Sequence, residues 1–308
     1  MHLIIQQLIN GLLLSCTYAL VGVGFSLFFG ALNVIHFANG DVCVVGAFMT
    51  LGAYALSVKL GLTQILSGWQ VSLMVLMIGI FATCIVGILV ERVSIRPFRQ
   101  MPILIPLVAT VAVGIILREA IRNFYPRGGT PQSFPALFSE AIALEWGSVK
   151  ISYDHIMILL GAIVLIGVLF FFINKTRLGR AIRAVSEDGN TALMMGINLN
   201  RTVVATFIIG SVLGAAAGIF NGLYFGGLRY DFGALFGTKG FAVSVVGGLG
   251  NVYGAVIGGL LFGMIETFSM GFIPGGTAWK EFIVFAVVVL FLIFRPQGIL
   301  GEKVFEKV

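Results

Sequence analysis

Four polar residues lie close together between the first two long apolar stretches of the chain. They are Asn33, His36, Asn39 and Asp41. If the flanking stretches cross a membrane, such side chains are costly there and each is a functional candidate by default. A helix break at this point would expose backbone groups that only a cavity or a protein interior tolerates. The pattern predicts an element of a translocation path or gate, and its alternative is an interfacial turn capped by Asn39 and Asp41.

A second group of ionisable residues lies in a glycine-rich segment, 234–268. Glu266 is deep in this segment and Lys239 is near its start. Glu266 is a further candidate for the translocation path. The two residues could form an ion pair, or Glu266 could lie at the edge of the apolar layer, and the pattern leaves both open. Two acid–base neighbours near the ends of apolar stretches are predicted to be surface or packing pairs: Arg118-Glu119 and Glu91-Arg92.

The sequence contains no pattern for catalysis or nucleotide binding. The phosphate-binding motif G-x-x-x-x-G-K-[ST] is absent, and the nearest stretch, 233–239, has the wrong spacing. There is no H-E-x-x-H motif, and the three histidines are too scattered to predict a metal site. These observations argue against an enzyme and against a metal or cofactor bound by this chain.

Composition indicates an integral membrane protein. Apolar residues make up 58% of the 308 residues and charged residues only 10%, whereas about a quarter of a soluble domain is charged. Mean hydropathy is +1.05. In lipid every backbone polar group needs a partner inside the protein, so long apolar runs must be helices. We therefore predict an all-α, polytopic transmembrane bundle that forms a single domain over residues 1–308. The predicted spans are 5–30, 41–57, 71–91, 103–124, 155–174, 202–226, 234–268 and 280–294.

The number of spans depends on segment 234–268. It is either one tilted helix with a re-entrant piece or two short spans that turn at Gly250-Asn251. The bundle therefore has eight or nine spans.

Positive charge predicts the orientation, because Lys and Arg are retained on the cytoplasmic side. One basic loop holds Arg92, Arg96 and Arg99, and the other is the segment 175–201. Both are predicted to be cytoplasmic, with the first part of the second loop at the lipid headgroups. The loop 125–154 and the N-terminus are then periplasmic, and the C-terminus is outside with eight spans or inside with nine. This asymmetry accounts for the net charge of +6, so nucleic-acid binding is not needed to explain it.

Five glycines recur at every fourth position of one predicted span. They are Gly210, Gly214, Gly218, Gly222 and Gly226. Residues four apart share one face of a helix, and small residues let membrane helices approach closely. The stripe predicts a groove for another helix. Its functional alternative is a surface that slides during transport or meets a second subunit.

A short helix is predicted inside the basic loop 175–201. Asp188 or Ser186 is its predicted N-cap, and Gly196 suits its C-terminal end. The helix would project Leu and Met side chains from a polar loop, and a flexible Met-rich surface suits docking against another protein. The alternative is a connector that lies flat on the membrane.

The same loop resembles the E-A-A-x-x-x-G element with which the permeases of ABC importers dock on their ATPase subunits. In this chain Ala192 and Gly196 keep the pattern, and Asn190 and Thr191 depart from it. The resemblance implies an ATPase-coupling loop, whose candidate residues are Glu187, Asp188, Asn190, Thr191, Ala192, Met195 and Gly196.

Motifs along nearly the whole chain resemble the branched-chain amino acid ABC importer permeases of the LivH type. They are Asn10-Gly11, Thr17-Tyr18-Ala19-Leu20, Asn33-Val34-Ile35-His36-Phe37-Ala38-Asn39-Gly40, Glu91-Arg92, Arg96-Pro97, Gly179-Arg180-Ala181-Ile182-Arg183-Ala184, Met195-Gly196-Ile197-Asn198, Gly247-Gly248-Leu249-Gly250 and Arg295-Pro296-x-Gly298-Ile299-Leu300-Gly301. The resemblance implies a bacterial inner-membrane permease that pairs with a second, homologous permease. It also implies two cytoplasmic ATPases that use ATP and a periplasmic binding protein that delivers leucine, isoleucine or valine.

Two alternative functions remain open from the sequence. An ion- or proton-coupled secondary carrier would need coupling acids within its spans, often with inverted repeats, and Glu266 is the one candidate acid. An ABC permease for another amino acid, or for an amide such as urea, would share the same motifs. Whether the two permeases of a complex are identical or different is also left open.

Overall fold

The computed structural model describes residues 2–99, 101–138, 142–146 and 149–301, and helices dominate this part of the chain. The helices are α1 (His2–Leu32), α2 (Asn39–Lys59), α3 (Leu62–Ile65), α4 (Gly68–Val90), α5 (Leu104–Phe124), α6 (Tyr153–Lys175), α7 (Arg177–Glu187), α8 (Gly189–Met194), α9 (Leu199–Phe225), α10 (Phe232–Gly247), α11 (Val252–Phe272) and α12 (Gly276–Phe294). Within the described residues, eight helices are long and apolar enough to cross a membrane: α1, α2, α4, α5, α6, α9, α11 and α12. The prediction of an all-helical polytopic bundle is confirmed.

Short strands define one end of the bundle. β1 (Gln132–Ser133) follows α5 and pairs antiparallel with β4 (Gly227–Leu228), which follows α9. The second pair, β2 (Ile142–Trp146) and β3 (Val149–Ser152), is also antiparallel. We call the end that holds β1 and β4 the β end. Because α9 runs from α8 to β4, the helices α7 and α8 lie at the opposite end, which we call the α7 end.

The ambiguous segment 234–268 contains two helices, α10 and α11. They are separated by a turn at 248–251, in which Gly248 (φ +108°) and Gly250 (φ +85°) adopt backbone conformations that favour glycine. The Asn251 side chain accepts hydrogen bonds from the first N–H groups of α11 and so caps this helix. The prediction of a turn at Gly250-Asn251 is therefore correct, and the single tilted helix is wrong.

Helix α10 makes a ninth pass through the bundle although it is short. It has 16 residues and is about 24 Å long, less than a hydrocarbon core of about 30 Å. It begins after β4 at the β end. The turn after it lies at the α7 end, because a Cβ atom at Gly30 would be 2.9 Å from Ser186 Oγ of α7 and 3.6 Å from the Gly250 carbonyl oxygen.

The chain after α12 returns to the C-terminus of α10. The backbone N–H of Ile299 donates to the Val246 carbonyl at 2.8 Å, and that of Leu300 donates to the Gly247 carbonyl at 2.9 Å. The last carbonyls of a helix lack partners within the helix, so these bonds satisfy two of them. We call Ile299 and Leu300 the C-terminal clamp, and it places this end of the described chain at the α7 end.

The central helix is α1, which packs along α11 through small residues. Gly259 lies directly against Ala19 of α1, and Gly263 lies against Ser15, with no room at either glycine for a Cβ atom. Such close backbone contact is how membrane helices associate where apolar burial gives little advantage. Helices α1 and α9 are the most buried spans, and α12, α5 and α6 expose most of their surface.

The connection between α1 and α2 reaches into the bundle. Asn33, with φ +55°, ends α1, and α2 begins only at Asn39. The Asn39 side chain lies against Gly24 of α1 and Gly214 of α9. Gly24 is eight residues before the end of α1 at Leu32, which is roughly 12 Å along a helix. The N-terminus of α2 is therefore inside the bundle and not at its surface.

Candidate functional site

A buried ionic cluster joins three helices. Lys239 of α10 donates to Glu266 of α11 at 2.8 Å (Oε1) and 3.0 Å (Oε2) and to the hydroxyl of Tyr18 of α1 at 3.1 Å. Tyr18 in turn donates to Glu266 Oε2 at 2.8 Å. All three residues are buried. Of the two alternatives for Glu266, the ion pair with Lys239 is the correct one.

Two further charges border this cluster from the first turns of α12. The Lys280 ammonium is 3.6 Å from Glu266 Oε1, and the Glu281 carboxylate is 3.4 Å from Lys239 Nζ. Both separations exceed the usual hydrogen-bond distance of about 2.7–3.2 Å. The side chains of Lys280 and Glu281 are 23% and 38% exposed, against 7% and 1% for Lys239 and Glu266. The cluster therefore has a tightly bonded inner pair and a loosely held outer pair, and its four charges sum to zero.

A cavity of about 110 Å³ opens beside these charges. Its polar wall consists of Tyr18, Asn221, Lys239, Glu266, Lys280 and Glu281, and its apolar wall of Phe225, Phe232, Leu235 and Phe236. Phe225 is the last residue of α9 and Phe232 the first of α10, so the cavity lies toward the β end. Asn221 is 3% exposed, and its amide makes no hydrogen bond within the described residues.

A second ionic contact lies on the other side of α10. Arg118 of α5 binds Asp41 of α2 through two hydrogen bonds of 3.1 and 3.2 Å. Gly114 and Gly233 lie directly against the Asp41 carboxylate. This pair is not apparent from the sequence, in which Arg118 was expected to act with its neighbour Glu119.

The polar residues between α1 and α2 are mostly buried. His36 is 1% exposed and packs edge-on against the rings of Phe28 and Phe207, with centroids 4.9 and 5.1 Å away. Within the part of the chain that the structure describes, neither His36 Nδ1 nor the two polar atoms of the Asn39 amide has a hydrogen-bond partner. Asn33, in contrast, is exposed at the end of α1.

The five candidates for the path therefore occupy three places, and Asn33 is exposed at the end of α1. His36, Asn39 and Asp41 line the break between α1 and α2, while Glu266 belongs to the cluster around Lys239. Helix α10 separates the two groups, since Gly233 contacts Asp41 on one side and Lys239 binds Glu266 on the other.

The predicted coupling loop forms two helices at the α7 end. Asp188 caps α8: its Oδ1 accepts the N–H groups of Asn190 and Thr191 at 2.9 and 3.2 Å, and its Oδ2 accepts the Thr191 hydroxyl at 2.5 Å. Of the two predicted N-caps, Asp188 is the one used, because Ser186 lies within α7. These hydrogen bonds, led by that from the Thr191 hydroxyl, hold the pKa of the Asp188 carboxyl below its usual range.

The end of α8 has a glycine-based stop. Gly196 has φ +81°, its N–H donates to the Leu193 carbonyl, and the N–H of Ile197 donates to the Ala192 carbonyl, both at 3.0 Å. This is the Schellman arrangement. Ala192 is buried, whereas Leu193, Met194 and Met195 are 51%, 87% and 78% exposed. Three further residues of the loop are also exposed: Glu187, Asn190 and Thr191.

The comparisons with known proteins agree with this architecture. A family described as "Branched-chain amino acid transport system / permease component" matches residues 7–292. The chain belongs to this family. It is 35% identical to the high-affinity branched-chain amino acid transport system permease protein BraD of Pseudomonas aeruginosa, over 99% of this chain and 98% of BraD. It is 32% identical to the corresponding protein LivH of Escherichia coli K12, over 99% of this chain and 97% of LivH.

More distant similarity extends to a sugar permease. The galactose/methyl galactoside import permease protein MglC of Haemophilus influenzae is 26% identical over 68% of this chain and 64% of MglC. Together with the eight apolar helices, these relatives identify the chain as a multi-pass membrane permease.

The glycine stripe of this permease packs inside its own bundle. Gly210 lies against the Phe28 ring, Gly214 against Cys43 Sγ, Gly218 against the Cys43 carbonyl and Gly222 against the Phe134 ring. All four glycines are buried. Gly226 has a different place: with φ +64° it ends α9, and it has open space around it. The four buried glycines contact other residues of this chain, so they do not form an empty groove for a second subunit.

Glu91 of the permease is buried, not on the surface. It lies in a π-helical turn (Glu91–Ile95) after α4 and pairs with Arg99, not with its neighbour Arg92. Arg99 also donates to the Asn200 side chain at 2.8 Å. Of the other neighbouring pair, Glu119 binds Arg122 on the surface at 3.5 Å while Arg118 binds Asp41. The expectation of local pairs was therefore wrong at both positions, although the reading of Glu119 as a surface residue is correct.

Proposed function

We propose that this chain is the permease subunit of an ATP-driven importer of branched-chain amino acids. It works with a second homologous permease, two cytoplasmic ATPases and a periplasmic binding protein, in the inner membrane of a bacterium. The chain binds no cofactor, and the ATPases hydrolyse ATP. The main support is the similarity to BraD and LivH over 99% of the chain.

The α7 end is assigned to the cytoplasm by its positive charge. Helix α7 and the residues around it carry Lys175, Arg177, Arg180 and Arg183. The β end, with the loop 125–154, is then periplasmic. With nine passes, the C-terminal clamp lies on the cytoplasmic side.

The exposed residues of α8 support docking on an ATPase. Leu193, Met194 and Met195 present an apolar surface on a helix that Asp188 caps at one end and Gly196 ends at the other. Apolar residues exposed on a polar segment suit a protein interface better than water, and methionine adapts to an irregular partner surface.

The geometry also argues against a proton-coupled carrier. Such a carrier needs an acid that can take up and release a proton within the membrane. The candidate acid, Glu266, accepts hydrogen bonds from both Lys239 and Tyr18, so its charge is already compensated.

Purification of the complex tests the proposed function. An affinity-tagged chain, expressed with the proteins encoded beside it, should retain two ATPase subunits and a second permease. Vesicles that hold this complex should take up labelled leucine only with ATP on the ATPase side and the binding protein on the other. ATP-independent uptake of leucine by the purified chain alone would instead identify a carrier.

A further inference from the structure

We propose that the cavity between α9, α10 and α12 binds the zwitterionic end of an apolar α-amino acid, with its carboxylate on Lys280 and its ammonium on Glu281. This inference rests on the proposed function and adds a cargo site within the permease itself. The site lies at the β end, where cargo would enter from the periplasm.

The outer charges are available to a ligand because the inner pair does not need them. Lys239 and Glu266 bind each other at 2.8 Å and share Tyr18. Lys280 and Glu281 make only contacts of 3.6 and 3.4 Å with this pair, and neither makes a hydrogen bond within the described residues. One loosely held cation and one loosely held anion therefore line the cavity.

These two charges match the two charged groups of an amino acid. A carboxylate accepts strong, charge-assisted hydrogen bonds from an ammonium group, and an ammonium donates them to a carboxylate. Because the cluster is neutral, a neutral zwitterion can bind without leaving a net charge in the bundle. A simple anion or cation would leave one, which is costly inside a membrane.

The rest of the cavity suits an apolar side chain. The apolar part of its lining is formed by Phe225, Phe232, Leu235 and Phe236. The volume of about 110 Å³ is many times the roughly 10–15 Å³ that one water molecule needs on such a measure. Pockets for small molecules usually combine an apolar wall with a few polar groups that fix orientation.

The Asn221 amide adds a polar group to the lining of the cavity. It is 3% exposed, faces the cavity and has no hydrogen-bond partner within the described residues. Its polar atoms line the cavity, where a bound ligand can reach them. A ligand with both donors and acceptors, such as an amino acid, would satisfy it.

The experiment compares three ligands that differ only in charge. Saturation-transfer NMR on the full chain in lipid nanodiscs would measure binding of L-leucine, of 3-methylbutylamine, which lacks the carboxylate, and of 4-methylpentanoate, which lacks the ammonium. L-leucine should bind at least about tenfold more tightly than either analogue. Lys280→Gln should weaken L-leucine but not the amine, and Glu281→Gln should weaken L-leucine but not the acid.

Folding is controlled by the choice of variants. Each rim substitution leaves Lys239 and Glu266 paired with each other. Lys280→Arg keeps the cation and should restore L-leucine binding. Arg122→Gln, on an exposed ion pair near the same end of the bundle, should bind L-leucine like the unmodified chain.

The outcomes separate this proposal from the proposed function. The proposed site is wrong if all three ligands bind equally well. It is also wrong if Arg122→Gln loses L-leucine binding as the rim variants do. If the permease does not bind L-leucine but the complex still imports it, the proposed site is wrong and the proposed importer function stands. If the permease binds L-leucine with the predicted charge dependence but the complex does not import it, the site is supported and the proposed cargo is wrong.

Discussion

Lys239 and Glu266 form an ion pair across two helices that belong to one continuous apolar segment. They are 27 positions apart in the chain, and their closest atoms are 2.8 Å apart. The turn at 248–251 makes this possible, because it brings α11 back alongside α10. The pair holds both helices against Tyr18 of the central helix α1.

Removing one partner of this pair should destabilise the fold. Lys239→Met or Glu266→Gln alone leaves a buried charge whose main partner is gone, which costs roughly 3–5 kcal/mol. The double variant should recover much of this loss, because it buries no unpaired charge. Denaturant unfolding in detergent measures the coupling as a double-mutant cycle.

The matched control is the exposed pair of Glu119 and Arg122. The same cycle there should give a coupling of about 1 kcal/mol or less. If the single variants at Lys239 and Glu266 stay within that range too, the ionic cluster does not hold the helices together.

The glycine stripe of α9 should not tolerate a methyl group. A Cβ atom at Gly218 would overlap the Cys43 carbonyl of α2, so Gly218→Ala must push the two backbones apart. We expect a loss of stability of about 1–3 kcal/mol, typical of overpacking. Gly167 of α6 is the control, since it has open space around it. Gly167→Ala should be neutral or stabilise by up to about 1 kcal/mol. Equal effects of the two substitutions would rule out close α2–α9 packing as the cause.

The cap of α8 should depend on pH. Because hydrogen bonds lower the pKa of Asp188 in the folded loop, the cap stabilises α8 above the unfolded pKa of about 3.9. This contribution is lost as the pH falls through the lowered folded pKa. Hydrogen exchange at the N–H groups of Asn190 and Thr191 should show α8 opening more often at acid pH.

Two substitutions separate the cap from its charge. Asp188→Asn keeps a capping side chain and should remove the pH dependence while α8 stays protected. Asp188→Ala should leave these N–H groups unprotected at every pH. Protection that persists in Asp188→Ala would show that α8 does not need the cap.

The sidedness of the bundle can be read from single cysteines. Met194 is 87% exposed in α8, and Leu60 is 62% exposed after α2, at the opposite end. Met194→Cys should react with a membrane-impermeant maleimide only in inside-out vesicles, and Leu60→Cys only in intact cells. The native Cys16 and Cys43 are buried and should stay unlabelled. Labelling of Met194→Cys from outside intact cells would reverse the proposed orientation and remove the basis for ATPase docking.

Docking should fail when the apolar surface of α8 becomes charged. The double variant Met194→Glu and Met195→Glu should lose the ATPases in co-purification, while its unfolding temperature stays unchanged because both side chains are exposed. Leu60→Glu, exposed at the other end, is the control and should retain them. Gly196 is not a suitable target for this test, because it has a positive φ at which any larger residue would be strained.

The spans were predictable because lipid imposes long apolar helices. Predicted span 5–30 became His2–Leu32 and span 103–124 became Leu104–Phe124. An N-cap at Asp188 or Ser186 and a stop at Gly196 followed from local chemistry, which depends only on neighbouring residues, and the structure uses Asp188. Local signals sufficed for these elements.

Ion pairs between residues far apart in the chain could not be predicted from the sequence. Arg118 and Asp41 are 77 positions apart, and no periodicity links an arginine of one span to the start of another. The sequence left open whether Glu91 packs inside the bundle or lies at its surface, and it did not indicate Arg99 as the partner of Glu91. Lys239 and Glu266 were noticed only as a possible pair, since their contact depends on the turn that separates α10 from α11.

The C-terminal clamp binds α10 through backbone atoms alone, so its strength does not depend on which side chains occupy positions 299 and 300. Shortening the chain before Ile299 would free the Val246 and Gly247 carbonyls and loosen the last turn of the shortest pass. An affinity tag attached beyond this point is therefore joined to a segment that is hydrogen-bonded to α10.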